Sequence, residues 1–392
     1  MLLRIKAILI STIYLFGAVF MLCYPPRHFE LSGSKPRPLR SIMANDTIDY
    51  YLTNDDIIKI ANKMAADSLE VMLVKRLEPA TCKNNSIIAI ELQSDRLITK
   101  PGILIVAALD AMVWAASNVV INLAQKLLYD PNYQVPFFNE YDWYLIPLGN
   151  PDGFDLTYSL RNKPKIPSDI WSKNVTTRKG HSPDQWHKNQ ESKLENKCFG
   201  INLNQNFAYH WRDDNSRSPD RCSQNFSGDK PFSARETRAL REYLDSLGNK
   251  IEMAIYIDAN FEPRKESISY PWTYSKRQNV NYKTLQAIGE YAARLSKLPG
   301  GRLYEVHQGS TEVREAGSLS DYISGVIGTQ LMFILKPYHE LYPNFTEAGP
   351  RGMSIFFVDI KVIIMVILNL VRGWRSRIKQ NTLSFFGREV DF

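Results

Sequence analysis

D-W-Y-L-I-P-L-G-N-P-D-G, residues Asp142–Gly153, is the stretch whose reading decides the fold. Its apolar run Trp143–Leu148 is continuous, not alternating, as expected of a strand buried on both faces. Three further runs have the same character: Ile103–Leu109, Met253–Ile257 and Leu331–Leu335. Helix-like segments such as Trp114–Leu128 and Tyr282–Leu298 separate them. Buried strands alternating with helices predict an α/β fold, with a largely parallel sheet covered on both sides. Thr53-x-x-Asp56 reads as a helix N-terminal capping signature, followed by Ile57, Ile60, Met64 and Ala65 at helical spacing. Ser233-x-x-Glu236 reads as a second capping box, opening a helix over Thr237–Leu247.

The chain has 392 residues, 44% of them hydrophobic, and no Gly/Pro-rich linker, so its middle reads as one well-cored globule. Its net charge of +7 is mild and spread out. The basic stretch Arg372–Lys379 reads as a solvated end, and no nucleic-acid motif is present, so nucleic acid is not an expected partner. Arg4 and Lys6 precede an apolar run, Ala7–Tyr24, stopped by Pro25-Pro26. That pattern is a secretory signal or, at about 18 residues, an uncleaved signal anchor. No good small-x-small cleavage site follows it. In both cases the rest of the chain is expected on the extracellular or lumenal side. Sequons at Asn45, Asn84, Asn174, Asn225 and Asn344 agree with secretion.

Asp142–Gly153 resembles the D-W-Y-x-x-P-x-x-N-P-D-G block of the zinc metallocarboxypeptidases (peptidase family M14). Cys198–Trp211, C-F-G-I-N-L-N-Q-N-F-A-Y-H-W, resembles C-x-G-x-D-L-N-R-N-F-x-x-H-W, and Pro231–Leu240 resembles P-F-S-E-x-E-T-x-A-L. The likeness runs from about Asp49 to Trp374, and its spacing is most similar to the digestive carboxypeptidase A/B-type branch. The resemblance implies a three-layer α/β/α sandwich with an eight-stranded mixed sheet. It implies a disulfide between Cys198 and Cys222, worth about 3 kcal/mol in the loop-entropy picture. Cys23 falls in the signal segment, and Cys82 is left as a half-buried free thiol. The implied plan is a signal peptide or anchor over residues 1–24, then a linker over 25–48 too short for the folded prodomain usual in this branch. A carboxypeptidase-like domain over 49–374 and a basic, then mixed, tail over 375–392 follow. The domain is expected to end in a helix within Met353–Trp374, where Asp359 and Lys361 interrupt the apolar run and argue against a second membrane span. The family's cis peptide after its catalytic strand predicts a cis Lys336–Pro337 bond.

Position by position, the resemblance implies a degenerate site. The His and Glu that hold zinc in I-H-[AS]-R-E-W match Asp110 and Val113 in L-D-A-M-V-W, Leu109–Trp114. The distant His ligand matches Asp258, just after Ile255-Tyr256-Ile257. A valine cannot ligate a cation, and two carboxylates without imidazole or thiolate make a weak zinc site. The general base matches Ile334, or Leu335 after a one-residue shift; both are aliphatic. The Asn-Arg clamp on the substrate carboxylate matches Asn204-Gln205, and the carbonyl-polarising Arg matches Met112. A further Arg, from W-R-K, matches Ser172 in Trp171-Ser172-Lys173. The mobile Tyr matches Val313, and the floor of the specificity pocket matches Ser320. Among the histidines, His181 and His187 are expected to be solvated in a charged loop and His210 to pack, so no relocated zinc is expected. Asp110 and Asp258 are expected to face each other. They share a proton, bind calcium or magnesium, or are hydrogen-bonded locally, the last being preferred.

Loss of metal, base and clamp together leaves no route to peptide hydrolysis by the family's mechanism. The expected protein is a secreted or membrane-tethered pseudopeptidase with no catalytic residue and no cofactor. It is expected to act as an extracellular binding module for an unidentified peptide or protein, as a monomer, with membrane contact only through an uncleaved N-terminal segment. The alternative is an active zinc-dependent metallocarboxypeptidase releasing C-terminal residues. Zinc content and hydrolysis of a peptide panel separate the two.

Overall fold

The computed structural model describes residues 51–161, 186–191, 198–213, 218–259, 266–296, 304–338 and 364. The described residues open with α1 (Asn54–Asp67), capped as the sequence predicts: Thr53 and Asp56 form a reciprocal capping box. Ile57, Ala61 and Met64 are buried, with Ile60 and Ala65 partly buried against the same core. There follow β1 (Met72–Leu77), β2 (Ile87–Leu92), β3 (Gly102–Ala107), α2 (Trp114–Tyr129), β4 (Asp142–Ile146) and α3 (Pro151–Arg161). Then come α4 (Arg235–Leu247), β5 (Ile251–Ile257), β6 (Ser267–Tyr270), α5 (Tyr282–Ser296), β7 (Glu305–Gln308) and β8 (Leu331–Lys336).

The eight strands form one sheet in the order β1-β2-β4-β3-β5-β8-β6-β7. Its centre, β4-β3-β5-β8, is parallel, and antiparallel pairs flank it at β1/β2, β2/β4 and β6/β8. All four apolar runs picked out above are central strands, buried along nearly their whole length. Strand pleat sends alternate residues to opposite faces. Ile105, Leu145, Ile255 and Phe333 pack on one side with α1, α2 and α5. Val106, Ile146, Tyr256 and Ile334 pack on the other with Leu240, Tyr243 and Leu244 of α4. Helices therefore cover both faces of a mixed eight-stranded sheet, the three-layer α/β/α sandwich that was expected.

Two local expectations are corrected. The helix opening at residue 235 is capped by Ala234, without a side-chain hydrogen bond. Asn206 takes the groups a capping box would use: its Nδ2 donates to Ser233 Oγ at 3.0 Å, and its Oδ1 accepts from Ala234 N at 3.1 Å. Glu236 instead accepts from Asn189 Nδ2 at 2.8 Å in the interior. Second, Lys336–Pro337 is not cis. The cis bonds among the described residues are Glu78–Pro79 and Pro271–Trp272. Lys336 stays in the ladder opposite Ser267, so β8 runs extended to its last residue.

Cys198 and Cys222 are disulfide-bonded, as implied, and Cys82 is a half-buried free thiol held by Asp152 and Gln190 O. Asn84 and Asn225 are exposed. The N-terminal segment, the other sequons at Asn45, Asn174 and Asn344, and Ser172 lie outside the described residues. Of the expected C-terminal helix only Ile364 is described; it is helical and buried in the first core cluster, the one that packs α1, α2 and α5 on the sheet, the α4 side being the second. Among the described residues no helix is long and apolar enough to cross a membrane.

Candidate functional site

Open sheets gather functional groups where parallel strands end, and here β3, β5 and β8 end together. Ile257 lies opposite Leu335, and Asp258 N donates to Leu335 O at 2.9 Å. The next residues in register are Asp258 and Lys336. Both follow the parity of Tyr256 and Ile334, which face the second core cluster. Leu335 packs on the opposite side of the sheet. Strand periodicity thus makes Ile334, and not Leu335, the neighbour of this site.

Asp110 enters from the turn after β3. Its Oδ1 accepts from Met112 N at 2.9 Å, which closes the turn into α2. Asn150 braces the same turn, donating to Leu109 O at 2.9 Å and accepting from Gly153 N at 2.9 Å. The N-P-D-G end of the opening motif therefore acts as a strut under the site. Val113 caps α2 and is 1% exposed within the first core cluster, and Met112 is equally buried. Trp114 anchors α2 by donating to Ala111 O at 3.1 Å and Thr157 Oγ1 at 2.9 Å.

The expectation that His187 is solvated is overturned. Its Nδ1 lies 2.5 Å from Asp110 Oδ2, and its side chain is 32% exposed. The disulfide-bridged segment delivers it. His187 N donates to Gln224 Oε1 at 3.0 Å, and the neighbouring Lys188 Nζ donates to Arg221 O at 2.8 Å while lying 5.0 Å from the Trp186 ring. Trp186-His187-Lys188 is a second W-x-K triplet in this sequence, and its middle residue reaches Asp110. That spelling, a short distance before Cys198, was the signal that could have found it.

Glu315 and Lys336 complete the cluster; neither was singled out from sequence as a site residue. Glu315 accepts from Asn204 Nδ2 at 3.2 Å, while Asn204 Oδ1 accepts from Leu319 N. Gly317 allows this close packing: its φ is +73°, and a Cβ there would lie 2.7 Å from the Trp211 ring and 2.9 Å from Gln205 O. Burial pushes the Asp258 carboxyl up to about 7; Lys336 pulls against that shift, while Asp110 and Glu315 add to it. Burial alone would lower the His187 imidazole, but the Asp110 charge and hydrogen bond, then Asp258 and Glu315, raise it overall. Lys336 is likewise raised against burial, by Glu315, Asp258, Glu312 and Asp110. Burial, then Asp258, Asp110 and Glu315, keep the Tyr256 hydroxyl protonated.

The remaining positions are scattered in character. Gln205 is 4% exposed and its Oε1 has no hydrogen-bond partner. Ser320 is buried and shares a hydroxyl network with Ser318 and Thr273, whereas Val313 is 60% exposed. His210 packs as expected, stacked on Tyr274 with centroids 3.9 Å apart. Among the described residues no three His, Cys, Asp or Glu side chains come together as a metal-binding set.

Residues 62–348 match the Peptidase M14 family, zinc carboxypeptidase. The chain belongs to the zinc carboxypeptidase family. It is 26% identical over 196 residues to a zinc carboxypeptidase of Simulium vittatum, covering 50% of this chain and 55% of that protein. It is 24% identical over 275 residues to the inactive metallocarboxypeptidase ecm14 of Talaromyces stipitatus, covering 67% of this chain and 42% of that protein. The chain spans about half the length of the curated relatives it matches. The carboxypeptidase A structure from Helicoverpa armigera superposes with a TM-score of 0.64 at 18% identity, covering 81% of this chain and 74% of that one. That similarity confirms the fold.

Proposed function

We propose that this zinc carboxypeptidase family member is a pseudopeptidase whose cleft serves as an extracellular binding module for a peptide or protein. The observation that carries this reading is the Asp110–His187 contact at the strand ends, with Lys336 the residue in register after Leu335, close enough to act on the Asp258 carboxyl electrostatically. A catalytic zinc needs three donor side chains and an open position for water. Here one of the three positions is the core residue Val113, and an ammonium group occupies the neighbourhood of another. These residues do not fit zinc, and the base position, Ile334, cannot accept a proton. The disulfide supports an oxidising compartment.

The test is direct. Purified from a zinc-supplied secretory host, the protein should carry far less than one equivalent of zinc and release no residue from a peptide panel varied at its C-terminus. Stoichiometric zinc together with hydrolysis overturns the reading. A peptide captured from the same panel without cleavage, and lost in Lys336→Met, supports it.

A further inference from the structure

Away from the strand ends, the disulfide-bridged segment and the first turns of α4 enclose a cavity of about 460 Å³, within the range of small-ligand sites. Arg221, Lys230, Arg238 and Arg241 line it, against the carboxylates of Glu191 and Asp229. Arg221 is already engaged: its Nη2 lies 2.6 Å from Asp229 Oδ1, and its guanidinium lies 5.2 Å from the Phe226 ring. Arg241 lies 5.1 Å from the Phe232 ring, and Glu242, 3.6 Å away, is 57% exposed. A guanidinium held over an aromatic face still has N–H donors to offer an acceptor beside the ring. Arg238 contributes a buried Nε that has no hydrogen-bond partner. Such a donor is costly to bury unless an acceptor meets it.

Glu191 sets a second condition. Its buried Oε2 also lacks a partner, so the best occupant offers an N–H or O–H donor as well as negative charge. Phe226, Phe232 and Pro231 supply apolar wall between the charged groups. We propose that this cavity is a binding site, separate from the strand-end cleft, for an aryl oxyanion ester within a peptide, that is, a sulfated or phosphorylated tyrosine. The oxyanion sits on Arg238 and Arg241, the ring packs against the phenylalanines, and a peptide N–H donates to Glu191. This proposal does not depend on whether the cleft is catalytic.

Calorimetric titration of the full chain with the N-acetyl amides of O-sulfotyrosine, O-phosphotyrosine and tyrosine, and with inorganic sulfate, tests it. One ester should bind one-to-one, about ten-fold or more tighter than tyrosine amide or inorganic sulfate, and weaken with added NaCl. Which ester binds tighter identifies the modification. Arg238→Gln and Arg241→Gln should each cost about ten-fold or more in affinity, while Lys59→Gln, an exposed charge on α1, should cost nothing. Should Arg238→Gln fail to fold, Arg241→Gln, whose side chain is 37% exposed, carries the test. No saturable binding of either ester, or unchanged affinity in both folded arginine variants, overturns the proposal.

Discussion

The contact between Asp110 and His187 makes a quantitative demand on stability. The pair is close, at 2.5 Å, and neither side chain is more than about a third exposed, with 32% for His187 and 19% for Asp110. A charge-assisted hydrogen bond of this kind is worth about 1.5–3 kcal/mol, with solvent screening favouring the lower half of that range. The histidine is raised above its ordinary value of 6.5. A group raised on folding stabilises fully below its unfolded pKa and loses that contribution as pH climbs through the folded one. The cation's share should therefore be complete below the unfolded value of 6.5 and decline as pH rises above it, leaving the weaker bond from a neutral imidazole to the Asp110 carboxylate. A double-mutant cycle of Asp110→Asn, His187→Gln and the double variant, measured by urea denaturation at pH 6 and pH 9, isolates the term. The expected coupling is about 2 kcal/mol at pH 6 and smaller at pH 9. A coupling below about 0.5 kcal/mol at both values, or one that grows with pH, refutes the reasoning.

Asp258 carries the same sign of pH dependence by a different cause, burial of a carboxyl. Its carboxyl is raised from 3.8 to about 7, so the native state holds an extra proton across that window and stability falls as pH rises through it. Asp258→Asn should flatten the fall between pH 5 and 8 in urea midpoints; an unchanged slope contradicts this. Replacing Cys198 and Cys222 by serine should cost about 2–4 kcal/mol. It should also weaken the Asp110–His187 coupling, because the bridged segment positions the imidazole; loss of stability with the coupling intact would separate the two roles. Trp114→Phe removes the donations to Ala111 O and Thr157 Oγ1 while keeping a ring beside Phe154 and Tyr158. It should cost about 1–3 kcal/mol in thermal or urea unfolding, and a neutral result would show that the anchor is not needed.

The centre of the sheet was legible because burial on both faces forces continuous apolar runs, and β3, β4, β5 and β8 all carry them. The edge strands were not. β1 alternates only partly, and β6 and β7 are four residues each, too short for a period to register. The cap of α4 was misread because Asn206, 28 residues away from Ala234, competes for the local groups. Asp110 and Asp258 follow the ends of β3 and β5, which the motifs around them made legible. Their partners were not legible. His187 is 77 residues from Asp110, and nothing local distinguishes a solvated histidine from one that folds back onto a carboxylate. Lys336 was visible only as a residue before proline, although strand parity places it beside Asp258 once the β5–β8 register is known.

On the proposed reading, charge at the strand ends is balanced from within the chain. His187 answers Asp110, Lys336 answers Asp258, and Asn204 tethers Glu315. A metal ion would have to displace the His187 imidazole from Asp110 and sit close to the Lys336 ammonium before gaining its own ligands. Restoring a third donor would not be cheap either, because Val113 packs into the core under α2. A carboxylate there must desolvate or stay protonated, and the lost valine contacts add to that cost. Val113→Glu should therefore destabilise the chain by about 3 kcal/mol or more at pH 7, read by urea denaturation, and the loss should shrink toward pH 4 as the new carboxyl protonates. Zinc should not rescue it. If Val113→Glu takes up zinc and regains wild-type stability, the side chain can turn out of the core toward Asp110, and the site is one substitution closer to a metal centre than its packing implies.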